Sequence, residues 1–121
     1  MGGLYLETHM TLADEIDHVH VRKRLPNRRV ATSFDFEHNG IRFVATYSPF
    51  PDGGVGEIFI SNHKAGSHLN ACVRDLGVVA SLALQFGCSL DTLRHALLRN
   101  ADGSPATALG AALDIISGRA R

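Results

Sequence analysis

Residues 34–47 read FDFEHNGIRFVATY, and this stretch decides the fold of the chain. Apolar and polar side chains alternate on both sides of Asn39-Gly40, and a period of two is typical of strands that bury one face. Asn and Gly both tolerate positive φ, which a two-residue type I′ hairpin turn requires at both positions. The turn fixes the register, so we expect Phe36 to lie opposite Phe43.

The residues after the hairpin predict one more strand and three helices. Residues 57–60 (EIFI) are too short and too β-branched for a helix and predict a third strand. Ser67 is expected to cap a long helix that runs to about Phe86. A second helix starts after Ser89 and ends near Asn100, and a last short helix follows. We therefore predict an α+β fold: a three-stranded antiparallel meander followed by a long buried helix and two shorter helices packed on one face.

Length and composition predict one globular domain. The chain has 121 residues, 45% of them hydrophobic, with twelve basic and twelve acidic side chains. No apolar run approaches the ~20 residues that cross a bilayer, and the zero net charge gives no general attraction to nucleic acid or lipid. We expect an N-terminal arm (1–28), a single domain (29–118) and a tail (119–121). Cys72 and Cys88 lie in helical stretches and no secretory signal is present, so we expect a cytoplasmic protein.

The arm combines an acidic and a basic cluster. Thr11 is expected to cap a short helix, and residues 22–29 carry five of the twelve basic side chains. These cations lack interleaved aromatic residues, which favours a solvated arm over contact with nucleic acid. His18 and His20 could chelate a metal from one face of an extended segment, but no companion motif accompanies them.

The connection between the third strand and the long helix is a candidate anion site. Residues 61–67 read SNHKAGS and place Lys64, Gly66 and Ser67, with His63 beside them, at a helix N-terminus, where backbone N–H groups attract phosphate. The order of these residues is not that of a P-loop. In the alternative interpretation, Ser67 only caps the helix and Lys64 is solvated.

His68 and Cys72 lie four residues apart on one helix face, with His63 just upstream. This spacing suits a soft divalent metal, but only three ligands are in sight. The pattern favours a core cysteine beside an exposed histidine over a metal site, so no metal site is assigned.

Asp35 and Glu37 share the solvent side of the first strand. Paired carboxylates can act as acid and base when one of them is desolvated. Glu37 is expected to face Arg42 across the hairpin, which favours a solvated, ion-paired surface.

Residues 76–84 are apolar around nearly the whole helix, with Ser81 the one polar residue among them. Such a helix must be covered on more than one side, by the sheet and by other helices or a second subunit. We therefore expect a two-fold homodimer, with Val78 and Leu82 nearest the contact.

Four stretches carry a family resemblance: residues 25–29 (LPNRR), 57–67 (EIFISNHKAGS), 81–87 (SLALQFG) and 109–114 (LGAALD). Together they resemble the TSCPD domain, a module found at the C-terminal end of adenosylcobalamin-dependent ribonucleotide reductases and as small free-standing bacterial proteins. The family is named after a Thr-Ser-Cys-Pro-Asp motif. Residues 100–105 (NADGSP) stand in its place and contain no cysteine, so a redox or metal role of the motif does not carry over.

The resemblance implies a non-catalytic binding or interaction module, accessory to deoxynucleotide synthesis, with a reductase subunit as its partner. Ribonucleotide reduction needs a radical-generating cofactor and a reducing dithiol sealed from water, so adenosylcobalamin is expected by association with the reductase and no cofactor is expected here. The alternative is an independent small enzyme that acts on a phosphorylated metabolite at loop 62–68. A pocket lined by His63, His68 and Glu57 would favour that alternative.

Overall fold

The computed structural model describes residues 21–64 and 66–119. Three strands come first and three helices follow, namely β1 (Thr32–His38), β2 (Ile41–Pro49), β3 (Val55–Asn62), α1 (His68–Gln85), α2 (Leu90–Ala96) and α3 (Ala108–Arg119). The sheet is antiparallel with the order β1-β2-β3, so the predicted α+β meander is confirmed. The expected helix at Thr11, the His18 and His20 pair and the last two residues of the tail lie outside the described residues.

The hairpin turn has the predicted geometry. Asn39 has a φ of 52° and Gly40 a φ of 80°, which are the two positive values of a type I′ turn. The register places Phe36 opposite Phe43, and their rings stack with centroids 5.4 Å apart. Local turn chemistry and the packing of the aromatic face thus specify the same pairing.

Helix α3 forms the centre of the core. Ala112, Leu113 and Ile116 are fully buried, and they belong to one cluster with the inner face of the sheet, including Phe43 and Ile58. A Cβ at Gly110 would lie 3.1 Å from Pro105, in the turn that leads into α3, so this turn packs closely against the first residues of the helix. The burial of α3 exceeds that of the longer α1.

Helix α1 lies along the outer edge of β3 and satisfies its backbone. The Ser81 hydroxyl accepts from Ile58 N and donates to Ile58 O, both at 2.9 Å, and Gln85 donates to Gly56 O at 2.9 Å. Four helical residues advance about 6 Å and two strand residues about 6.6 Å, so every fourth residue of α1 meets every second residue of β3. Gly77 continues this row, and a Cβ there would lie 3.2 Å from Ile58 O. The helix therefore closes one edge of the sheet.

Helix α2 ends at Ala96, so the expected end near Asn100 was wrong. Leu97 has extended backbone angles, and the chain enters a turn in which Asn100 N donates to Ser104 O at 2.9 Å. Arg99 is thereby free of the helix and reaches Asp114 on α3, with nitrogen-oxygen distances of 2.7 and 2.9 Å. These hydrogen bonds from Arg99, and one from Arg94, lower the pKa of Asp114 to about 2.

The segment before β1 contacts the domain at several points. Arg29 makes a two-pronged ion pair with the buried Glu57, at 2.6 and 3.0 Å. Lys23 N donates to Gln85 O at 2.8 Å, and the Lys23 ammonium pairs with Asp52 at 2.6 Å. Residues 22–29 therefore contact the end of the domain at which α1 terminates.

Candidate functional site

The loop between β3 and α1 is built by short-range hydrogen bonds. Asn62 Oδ1 accepts from Lys64 N at 2.8 Å, and Ser67 Oγ accepts from Asn70 N at 3.0 Å as the predicted N-cap. Ser67 Oγ also donates to Lys64 O at 2.9 Å. The hydroxyl of Ser67 is thus engaged within the loop, and Gly66 supplies the positive φ, 79°, that the turn requires.

The loop forms one wall of a shallow groove of about 540 Å³, whose other wall is the tip of the β1–β2 hairpin. His63 and Lys64 are exposed there, and Ser67 lies at the base of the helix. Arg42 lines the same groove, and its carbonyl accepts from Asn62 Nδ2 at 3.0 Å. Two cations and one imidazole therefore surround one open space.

Arg42 was missed by the sequence analysis as a residue of this site. The signal was present, because the hairpin turn places Arg42 within three residues of the tip. Its position beside the loop follows only from the β2–β3 register, in which Phe43 lies opposite Asn62. That register depends on the turn at Pro49–Val55, which contains an irregularity between Ser48 and Pro49.

Glu57 does not belong to the groove. Glu57 lies on β3, six residues before His63, and six extended residues span about 20 Å. Its side chain is buried against Arg29. The hydrogen bonds that Arg29 donates to the Glu57 carboxylate raise the pKa of Arg29 above its ordinary value. The pocket of His63, His68 and Glu57 that would favour an enzyme is therefore not formed.

His68 and Cys72 come together, with 3.4 Å between Nε2 and Sγ on the exposed side of α1. Cys72 is exposed, so the interpretation of a core cysteine was wrong. Within residues 21–64 and 66–119, no three side chains of the His, Cys, Asp and Glu types gather as a metal site would require.

Asp35 and Glu37 are exposed on β1. Glu37 lies opposite Arg42 in the register. In the part of the chain that the structure describes, no ion pair within 4 Å joins these two side chains. The expected ion pair between Glu37 and Arg42 is therefore not formed, and Arg42 lines the groove.

The side of α1 that faces away from β3 carries large apolar side chains in the open. Val79 is 62% exposed, Val78 48% and Leu82 38%. Val78 lines a depression of about 700 Å³ over the outer sheet face together with Phe59, which is 49% exposed. The sheet and α3 together cover the inward side of α1. The described residues do not cover the side that carries Val78, Val79 and Leu82.

A third depression, of about 840 Å³, lies between the turn after β2 and the end of α1. Its walls include Tyr47, Phe50 and Leu90, and the Lys23–Asp52 ion pair stands at its rim. The Lys23 ammonium also lies 4.4 Å from the centre of the Phe50 ring. The polar groups at this rim are paired with each other.

The comparisons with known proteins identify relatives of one kind. The chain is 33% identical over 82 residues to the vitamin B12-dependent ribonucleotide reductase of Streptomyces coelicolor, which covers 68% of this chain and 8% of that enzyme. It is 32% identical over 90 residues to the enzyme of the same name from Streptomyces avermitilis, covering 71% and 9%. For the enzyme from Agrobacterium fabrum the identity is 36% over 70 residues, covering 58% and 6%. The chain is therefore similar to one small segment of these reductases and spans less than a tenth of their length.

No family model matches the chain, and no solved structure matches it. None of the helices that the structure describes has the length and apolar character needed to cross a membrane.

Proposed function

We propose that this chain is a TSCPD-type domain, that it serves as a non-catalytic interaction module in deoxynucleotide synthesis, and that it binds a phosphate-bearing ligand weakly. The observation that carries the proposal is the similarity to vitamin B12-dependent ribonucleotide reductases over 58–71% of this chain. The proposed partner is a subunit of such a reductase, adenosylcobalamin belongs to that partner, and the proposed setting is the cytoplasm.

The positions of the two cysteines support a module without turnover of its own. Ribonucleotide reduction consumes a dithiol, and a disulfide needs Cα atoms within about 7 Å. Cys72 lies in the first half of α1 and Cys88 beyond its C-terminal end. The helix between them is roughly 20 Å long, so these thiols do not form a redox pair within one chain.

The groove supports the ligand half of the proposal. Lys64 and Arg42 bring positive charge to the groove, His63 adds an imidazole, and a helix N-terminus adds a favourable dipole of about 0.3–1 kcal/mol. Ser67 contributes less than its sequence position suggests, because its hydroxyl is engaged in the loop. The site is shallow and solvated, so we expect modest affinity.

The test is a titration of the ¹⁵N-labelled chain with inorganic phosphate, a ribonucleoside diphosphate and a deoxynucleoside triphosphate. We expect amide shifts at residues 40–42 and 62–69. Removing one exposed cation should weaken binding about two- to fivefold, so Lys64→Gln and Arg42→Gln should each do so. Arg28→Gln, an exposed cation outside the groove, is the matched control.

Two results would contradict the proposal. Shifts outside the groove, or equal weakening by Arg28→Gln, would remove the binding site. A product that accumulates over hours would contradict the absence of turnover and would favour the enzyme that acts on a phosphorylated metabolite at loop 62–68.

A further inference from the structure

An apolar stripe runs the whole length of α1 on the side that does not touch β3. Its members follow one another at alternating spacings of three and four residues, and five of the six are exposed, while Ala83 is half-buried: Leu69, Cys72, Leu76, Val79, Ala83 and Phe86. Alternation of three and four is the spacing of a coiled-coil seam. The stripe is about 26 Å long, at 1.5 Å per helical residue.

The stripe is separate from the residues that hold α1 to its own domain. Gly77, Ser81 and Gln85 face β3 and its backbone. Val73 and Ala80 are buried beside them. A helix with one side matched to a strand edge and a second side arranged as a seam has two separate surfaces, of which the sheet uses one.

We infer that the stripe pairs with the same stripe of a second copy of this chain, with the two helices antiparallel. The order of side-chain sizes supports this occupant. From the N-terminal end the first three members are large, small and large, namely Leu69, Cys72 and Leu76. From the C-terminal end the first three are again large, small and large, namely Phe86, Ala83 and Val79. A two-fold axis between Leu76 and Val79 therefore places large residues against large ones and the small Cys72 against the small Ala83 of the second copy.

This self-matching is what a two-fold contact demands, because both copies must offer the same patch to each other. An unrelated partner places no such constraint on the order of residues. The antiparallel direction also sets opposite ends of the helix dipoles side by side, which is favourable. Leu82 flanks the seam, whereas Val78 faces the depression over the sheet.

One charged residue gives the arrangement a signature of its own. Asp75 is exposed and lies one position before Leu76, between the seam and the depression over the outer sheet face that it also lines. Antiparallel pairing about the stated axis brings the two Asp75 side chains to the same flank, separated by about 8 Å along the helices. This distance is within the Debye length of ~10 Å at 0.1 M salt, so the two carboxylates repel each other.

The first experiment is sedimentation of the full chain between about 1 and 100 µM, a range in which even a modest interface associates. We expect a dimer. Val79→Glu should weaken it at least a hundredfold without unfolding the domain, because Val79 is already 62% exposed. Leu98→Glu is the matched control, since Leu98 is 71% exposed and lies off the stripe.

The second experiment mixes the wild-type chain with Asp75→Arg. Each of these chains alone places like charges together, whereas a mixed pair places Asp75 against an arginine. Random mixing already gives twice as much heterodimer as either homodimer, so the heterodimer-to-homodimer ratio should exceed this statistical value about two- to fivefold, the size of an exposed ion pair. The excess should fall in 1 M salt.

Three results would overturn the inference: a monomer up to 100 µM, a dimer that Val79→Glu leaves intact, or mixing without preference between wild-type and Asp75→Arg chains. If the full chain is a monomer and dimerises only after removal of residues 1–20, that segment covers the stripe in the full chain. This result would also overturn the inference. The inference goes beyond the proposed function. The sedimentation experiment measures the mass of the chain in the absence of nucleotide and reductase. Its failure is therefore distinguishable from failure of the phosphate groove.

Discussion

Helices α1 and α3 are both rich in apolar residues, yet they bury them differently. Eight of the twelve residues of α3 are buried, against six of the eighteen of α1. The side of α1 against the strand edge carries small and polar residues such as Gly77, Ser81 and Gln85. Most of its large apolar residues lie outside, with Val73 and Leu84 the buried exceptions. The apolar content of a helix thus does not tell which helix is core and which is surface.

The largest expected effect distinguishes the buried helix α3 from the more exposed helix α1. Leu113→Ala removes a fully buried side chain at the centre of the core, and such changes cost about 2–5 kcal/mol of unfolding free energy. Leu76→Ala changes a residue that is 41% exposed and should cost about 1 kcal/mol or less. Urea unfolding at one fixed, low protein concentration measures both. Equal losses would contradict the division into a core helix and a surface helix.

The next effect tests how α1 meets the strand. A methyl group at Gly77 would lie 3.2 Å from Ile58 O and 3.3 Å from Ile60 N, both backbone atoms that move reluctantly. We expect Gly77→Ala to destabilise the fold by about 1–3 kcal/mol. Gly118 on α3 has nothing within 4 Å, so Gly118→Ala should be neutral or stabilise by up to about 1 kcal/mol. Loss of stability in both variants would show that the glycine effect is not local to the β3 edge.

The third effect concerns the ionic tie between α3 and the loop after α2. The pKa of Asp114 is lowered from 3.8 to about 2 by its hydrogen bonds to Arg99 and Arg94. A lowered folded-state pKa stabilises above the unfolded value, and this contribution is lost as the pH falls from about 4 through 2. Asp114→Asn should therefore cost about 1–2 kcal/mol at pH 7.

A pH series of unfolding free energies checks this tie. The difference between wild type and Asp114→Asn should shrink between pH 4 and 2. A difference that stays constant over this window would contradict the role assigned to the carboxylate.

The smallest effect tests the hairpin against which α3 packs. Gly40 has a φ of 80°, where a β-branched side chain is strained, so Gly40→Val should cost about 1 kcal/mol. Thermal unfolding compares the variant with wild type. If the variant melts like wild type, the Asn39-Gly40 turn does not help to fix the register of β1 and β2.

The sequence predicted those features that depend on neighbours along the chain. The Asn39-Gly40 turn, the caps at Ser67 and Ser89 and the pairing of Phe36 with Phe43 are all confirmed. In each case the deciding residues lie within eight positions of one another, so local chemistry suffices.

Features set by long-range packing were not predictable in the same way. The burial of α3 depends on its packing against the inner face of the sheet, including Phe43 and Ile58. The membership of Arg42 in the groove depends on the β2–β3 register. The end of α2 at Ala96 is accompanied by hydrogen bonds between Arg99 and Asp114 on α3. None of these partners is adjacent in sequence, so periodicity alone could not identify them.

The central proposal is that this chain is a domain related to one small segment of vitamin B12-dependent ribonucleotide reductases. The most direct measurement replaces the matched segment of the Streptomyces coelicolor reductase with residues 29–118 of this chain. Ribonucleotide reduction by this chimera is compared with that of the enzyme lacking the segment, at equal amounts of folded protein. The account predicts that deletion lowers the rate and that the chimera recovers most of it. A chimera as slow as the deletion, or a deletion as fast as the intact enzyme, would contradict the claim.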